Sequence, residues 1–159
     1  MTRIENQEPG IVQLQQQQCA VLHERVPMAS LTEFFSRAFH LTMAAAQKQG
    51  RQIIGPPLAI YFGTPTDVVD VAAGFPVDAA IEEDGTVTPQ ALPAGRAVEV
   101  LHQGAYDELG TTYERLTAWM RDSELTPGEV MWESYLNEPD PNHPESARTL
   151  VTWPIADSR

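Results

Sequence analysis

Residues Met131 to Pro139 read MWESYLNEP, an apolar and aromatic run broken by one carboxylate, Glu133, and stopped by a proline. Such a run reads as a β-strand, because proline lacks the amide that a strand interior needs. Tyr135 in WESYLNE has a counterpart in Tyr61 of LAIYFG, 74 residues earlier. Working outward, Phe75-Pro76-Val77 returns as Trp153-Pro154-Ile155 at an offset of 78, and Leu31 and Phe35 return as Leu109 and Tyr113, also at 78. Val21-Leu22-His23 returns as Val100-Leu101-His102 at 79. Matches in the same order, with small insertions between them, point to a duplicated unit.

Each unit reads as β-α-β-β. A strand over Gln18–Val26, and then over Ala97–His102, leads into a helix. In the first copy Ser30 and Glu33 have the spacing of a capping box. Leu31, Phe34, Phe35, Ala38, Leu41 and Ala45 then recur at helical spacing, and Gly50 ends the helix. In the second copy Leu109, Tyr113, Leu116 and Met120 form the apolar stripe, with Trp119 beside it and Pro127-Gly128 marking the exit. Hairpins follow, Pro57–Gly63 with Val68–Val77 and Val130–Asn137 with Thr149–Ile155. Short strands near Ile11–Gln15 and Thr86–Gln90 add an edge to each sheet.

The expected fold class is α+β: tandem β-α-β-β modules with pseudo-two-fold symmetry, antiparallel sheets and a ligand groove at the junction. Residues 1–17 would form an N-terminal segment and edge strand. Residues 18–156 would form a single domain, with repeat one at about 11–80 and repeat two at about 84–156.

Composition narrows the function. The chain of 159 residues carries a formal charge of −12, and residues 81–159 hold fifteen acids against five bases. Lys48 is the single lysine. Phosphate backbones are held by clustered Lys and Arg, so nucleic acid is not an expected partner. No apolar run reaches the roughly 20 residues that span a bilayer, and the polar first ten residues lack a signal segment, so the expected location is cytoplasmic. Cys19 is the only cysteine, which excludes an internal disulfide and a cysteine-built zinc site. His143-Pro144-Glu145 with Asp140 reads as a hairpin loop rather than a metal cluster. Neither metal nor cofactor is expected.

Strand alternation puts Met131, Glu133 and Tyr135 on one face, and Trp132, Ser134 and Leu136 on the other. A carboxylate beneath a helix needs a partner, because an unpaired one in a dry site costs several kcal/mol. That argument sends Glu133 to the groove face, with Tyr135 beside it and Ala59 and Tyr61 as pseudo-symmetric counterparts. Aromatic rings around a carboxylate form a cation trap. The same groups could act as a general acid or base with a water-holding tyrosine. The plainer alternative is a solvated strand residue opposite an arginine such as Arg148. His23 and His102 fall at matching positions before the helices, as ligand contacts or as packed histidines. Tyr106, in the first turn of the second helix, reaches the groove mouth or makes a capping contact.

The run HQGAYDELGTTYERLTAWM, then WESYLNEP after a Pro-Gly turn and TLVTWPI, resembles the GyrI-like small-molecule-binding domain. GPPLAIYFGTP and DVAAGFPV fit the same pattern, and the resemblance covers about residues 18–156. It implies a tandem β-α-β-β fold. It also implies kinship with effector-binding domains of multidrug-responsive transcription regulators, with a gyrase inhibitor, and with stand-alone proteins that bind or hydrolyse toxic small molecules. The family's acidic ligand-contacting residue matches Glu133. Its aromatic groove residues match Tyr135, Tyr61, Trp119 and Phe75, with Tyr106 and His102 as further candidates. Only about 17 residues precede the repeat, so a direct transcription-factor role is not expected, and Ala72 stands where many relatives carry an acid, so a two-acid site is not expected either.

Three readings follow. One is a stand-alone protein that binds hydrophobic, aromatic, often cationic molecules. Another is a hydrolase of strained or electrophilic molecules that uses Glu133 with Tyr135, Tyr61, Tyr106 or Tyr113. The last is a protein-interaction module whose acidic second half meets a basic partner.

Overall fold

The computed structural model describes residues 8–63, 66–105, 108–137 and 142–155. Among the described residues the fold is mixed α+β, with eight antiparallel strands and two α-helices. The strands are β1 (Gly10–Leu14), β2 (Gln17–Pro27), β3 (Leu58–Phe62), β4 (Val68–Pro76), β5 (Val87–Leu92), β6 (Gly95–Gln103), β7 (Val130–Tyr135) and β8 (Arg148–Pro154). The helices are α1 (Leu31–Lys48) and α2 (Leu109–Asp122). Two compact units divide the chain. One runs over residues 15–94; the other joins the segment ending at Leu14 to everything from Gly95 onward.

In the 15–94 unit the strands lie in the order β5-β2-β4-β3. Ala20 faces Phe75, Leu22 faces Ala73 and Val26 faces Val69 across β2 and β4. These residues look towards α1. Ala20 packs with Ala45 and Ala46, and the Phe39 and Phe75 rings lie 5.7 Å apart. Phe34, at 0% exposure, anchors the helix. Burying such a side chain contributes roughly 1.5–3 kcal/mol. Arg37 of α1 donates to Glu24 of β2 at 2.6 Å, and the guanidinium lowers the Glu24 carboxyl below the usual range.

The other unit has strand order β1-β6-β8-β7. Helix α2 buries Thr112, Leu116 and Met120. Across its sheet His102 faces Thr149, which faces Tyr135, and Val100 faces Val151, which faces Glu133.

The helices and hairpins lie where periodicity places them, but three local features differ. The capping box does not form: a 3₁₀ turn over Met28–Ser30 leads into α1, and the Ser30 side chain makes no cap hydrogen bond. Leu41 is 36% exposed, while Thr42 is buried with its hydroxyl donated to the Ala38 carbonyl at 2.8 Å. Gly50 ends α1 as expected. Its φ of 71° lets Gly50 N–H reach Gln47 O and Arg51 N–H reach Ala46 O. Helix α2, by contrast, stops before Pro127-Gly128, at Glu124, which adopts φ 60° so that Leu125 N–H reaches Met120 O.

The edge strands are exchanged. β1 precedes the first unit in sequence yet pairs with β6, and β5 precedes β6 yet pairs with β2. The repeat boundaries read at 80 and 84 therefore do not coincide with the compact units, which divide after residues 14 and 94. The Val-Leu-His match is also one residue out. In β2 the residues that face α1 are Ala20, Leu22 and Glu24. His23 points to the opposite side, where it meets Asp70 at 2.5 Å and stacks on Phe62. His102 instead faces α2 at 1% exposure. An offset of 78, which puts Leu22 with Val100 and Glu24 with His102, matches the faces. A shift of one residue reverses every side chain in a strand.

At Gly74 in β4 a Cβ would lie 1.8 Å from the Ala20 carbonyl oxygen, a backbone atom that can move only if the β2–β4 pairing moves. Gly74→Ala is expected to cost about 3 kcal/mol or more, at or beyond the upper end of ordinary overpacking. Urea unfolding would measure it.

Candidate functional site

Glu133 lies at the centre of β7 and is 6% exposed. Both its carboxylate oxygens accept phenol hydroxyls. Tyr135 donates to Oε1 at 2.7 Å, and Tyr113, from the first half of α2, donates to Oε2. The Tyr113 hydroxyl also lies 3.8 Å from Met131 Sδ. Its ring meets Trp153 edge-on at 6.4 Å, and Trp153 is fixed in turn by an indole N–H donated to the Gly128 carbonyl at 2.8 Å. The site is thus a carboxylate, two phenols, a thioether and an indole, all from one unit.

The expected face for Glu133 is corrected by these contacts. Glu133 shares the sheet face of Val151 and Val100, the face on which His102 bonds to Thr112 of α2. It lies on the helix side, not the side away from it. The physical premise stands, since a carboxylate beneath a helix needs a partner, and here there are two. A hydrogen bond to a charged group contributes roughly 1.5–3 kcal/mol, which offsets part of the cost of burial.

The other predicted residues divide. Tyr135 belongs to the site. His102 lies on the same face but is held structurally. Its Nε2 is 3.0 Å from the Ala105 carbonyl, which can only accept, so that nitrogen carries a proton; in the neutral ring Nδ1 then accepts from Thr112 at 2.6 Å. Trp119 is on a different flank of α2 from Tyr113. It lines a cleft of about 460 Å³ with Glu8, Pro9, Arg115, Ala118 and Asp122. Tyr61 and Phe75 belong to the 15–94 unit, on its helix face, where Ala59 stands two residues before Tyr61 as Glu133 stands two before Tyr135. Tyr106 lies outside the described residues.

Tyr113 was legible only as one of four tyrosines. Its match to Phe35 marks a helical position whose ring is kept while a hydroxyl is added. Trp153 was legible as the counterpart of Phe75. Thr149, in register with both His102 and Tyr135, carried no sequence signal.

Other reactive groups do not compete for the role. Burial pushes the Cys19 thiol up to about 12, which keeps it protonated and unreactive. His143 and Glu145 pair at 3.3 Å on an exposed loop, and Asp140 lies outside the described residues. Among the described residues no group of three or more His, Cys, Asp and Glu could hold a metal ion. No helix among them is long and apolar enough to cross a membrane.

Two predictions follow from these environments. Tyr113→Phe removes a donor from a buried carboxylate and is expected to cost about 1.5–3 kcal/mol of stability. Tyr135→Phe should act similarly, and the double variant should depart from additivity because both phenols serve one acceptor. Chemical denaturation of the three variants tests this. Glu99 lies on the opposite sheet face, between Gly10 and Thr152, and desolvation raises its pKa. The folded state therefore holds the proton more tightly than the unfolded state, and this group's contribution to stability falls as pH rises through that range. Glu99→Gln should raise the melting temperature at pH 7, with the gain shrinking as the pH is lowered through the carboxylate range.

The same fold occurs in solved structures of low sequence identity. The C-terminal domain of EcmrR superposes with a TM-score of 0.79 at 18% identity, covering 96% of this chain and 99% of that one. EcmrR in its complex with DNA matches at TM-score 0.80 and 20% identity over 93% of this chain, which spans only 57% of the EcmrR chain. SAV2435 bound to tetraphenylphosphonium matches at TM-score 0.69 and 13% identity, covering 94% of each chain. A hydrolase from Listeria innocua matches at TM-score 0.65 and 13% identity, covering 96% of this chain and 94% of that one. Among curated proteins no sequence matches. The family description "GyrI-like small molecule binding domain" matches residues 7–156. With nearly its whole length matched and its fold shared, this chain is a member of the GyrI-like small-molecule-binding domain family.

Proposed function

We propose that the protein binds hydrophobic, aromatic cations, with Glu133 as the residue that meets the charge. The observation that carries this reading is the buried carboxylate held by two phenols beneath α2. A phenol hydroxyl satisfies a carboxylate without neutralising it, so the site keeps a negative charge in a medium of low polarity, where its attraction for a cation is strong. The rings of Tyr113, Tyr135 and Trp153 lie around that charge, and an aromatic face adds roughly 0.5–2 kcal/mol of attraction for a cation. Entry of a ligand exchanges the Tyr113 hydroxyl for the cation at one carboxylate oxygen. The structural likeness to SAV2435, solved with the aromatic cation tetraphenylphosphonium, supports the choice of ligand class.

A second reading uses the same atoms for hydrolysis. A carboxylate joined to a phenol is an acid–base pair, and one structural neighbour is described as a hydrolase. Turnover of an electrophilic substrate, followed by mass spectrometry and lost in Glu133→Gln, would favour it; unchanged substrate at long times leaves binding alone.

The binding reading is tested with Glu133→Gln, which keeps shape and removes charge. Tetraphenylphosphonium affinity, measured by calorimetry, is expected to fall about tenfold or more, while a neutral aromatic of the same size loses little. Equal losses for both probes would remove the charge argument.

A further inference from the structure

Thr149 is fully buried near the start of β8, on the α2 side of the sheet, and among the described residues its Oγ1 meets no hydrogen-bond partner. Its register neighbours are His102 and Tyr135. Neither offers it a partner: both ring nitrogens of His102 are engaged by Thr112 and Ala105, and the Tyr135 hydroxyl is directed to Glu133. A buried hydroxyl left without a partner destabilises the fold, and native proteins seldom keep one without a use. This one is one strand pair from the candidate site. Glu133 faces Val151, so Glu133 and Thr149 are diagonal neighbours on one face, roughly 7–8 Å apart.

We infer that Thr149 is a specificity-determining residue of the Glu133 site, and that it selects cations carrying a hydrogen-bonding oxygen a few bonds from the charge. The inference rests on the binding reading of Glu133. The positive centre lies against the carboxylate, and a carbonyl or hydroxyl oxygen on the same ligand accepts the Thr149 hydroxyl. A purely hydrocarbon cation uses only the first contact. Thr149 therefore separates ligands that Glu133 alone would treat alike, because a site built to hydrogen-bond a polar group discriminates against the analogue that lacks it.

The experiment compares tetraphenylphosphonium with a triphenylphosphonium whose fourth arm carries a ketone, by calorimetry, against the full chain and three variants. Thr149→Val, nearly isosteric, is expected to weaken the ketone-bearing cation about tenfold and to leave tetraphenylphosphonium unchanged. Thr149→Ser, which keeps the hydroxyl, should retain the preference. Glu133→Gln should weaken both cations. The melting temperature of Thr149→Val without ligand should not fall, since no folded-state hydrogen bond is lost. A Thr149→Val variant that changes both affinities equally or neither, or that melts lower than the parent, overturns the role of Thr149 while leaving that of Glu133 in place. Failure of Glu133→Gln to weaken either cation, or failure of either cation to bind the parent, overturns the Glu133 reading and this inference with it.

Discussion

A carboxylate beneath a helix must be hydrogen-bonded, and the second unit is arranged around that requirement. Glu133 lies where a sheet normally presents an apolar side chain to its helix. Tyr113 comes down from α2 and Tyr135 comes across from two residues along the same strand, so each oxygen has a donor. Trp153, pinned by its bond to Gly128, holds the Tyr113 ring from the side. His102 and Thr112 tie β6 to α2 on the same face. The acid, the two phenols and the indole are thus linked on one face of this unit, with His102 and Thr112 bonded beside them.

The 15–94 unit shows what the same strand–helix–strand–strand order looks like without that requirement. Ala59 and Ala73 face each other at 0% exposure beneath α1, and Phe34, Phe39 and Phe75 supply the bulk. Its packing is apolar and close, to the point that Gly74 admits no Cβ against the Ala20 carbonyl. One unit thus has the makeup of a core, and the other gives up part of its core to polar groups. A membership in a small-molecule-binding family is consistent with that asymmetry, since burying polar groups costs stability and is kept where it serves recognition.

The differences between expectation and structure have specific causes. Strand alternation correctly grouped Met131, Glu133 and Tyr135, but it is silent about which group meets the helix. That depends on a partner 20 residues away in sequence, Tyr113. The Val-Leu-His echo misled by one residue because the strand period is two, so a slip of one leaves the letters aligned and reverses the faces. The edge strands went to the other unit because an extended segment of five or six residues carries no mark of which sheet edge it will join. Trp119 shares α2 with Tyr113 but looks out on another flank, a distinction that an aromatic count cannot make.

By itself the amino-acid sequence determined the α+β class, the positions of both helices and both hairpins, the family, and Glu133 with Tyr135 as the pair to watch. The class, the helices, the hairpins and the Glu133–Tyr135 pair follow from periodicity, turn residues and one misplaced charge, all of which are local; the family follows from the likeness of whole motifs to it. The tertiary structure alone decided the face on which Glu133 lies, the choice of Tyr113 among the tyrosines, the structural task of His102, the exchange of β1 and β5, and the unmet hydroxyl of Thr149. Each of these depends on which distant segments meet, and hydrogen bonds and packing between such segments leave no pattern in the order of the residues.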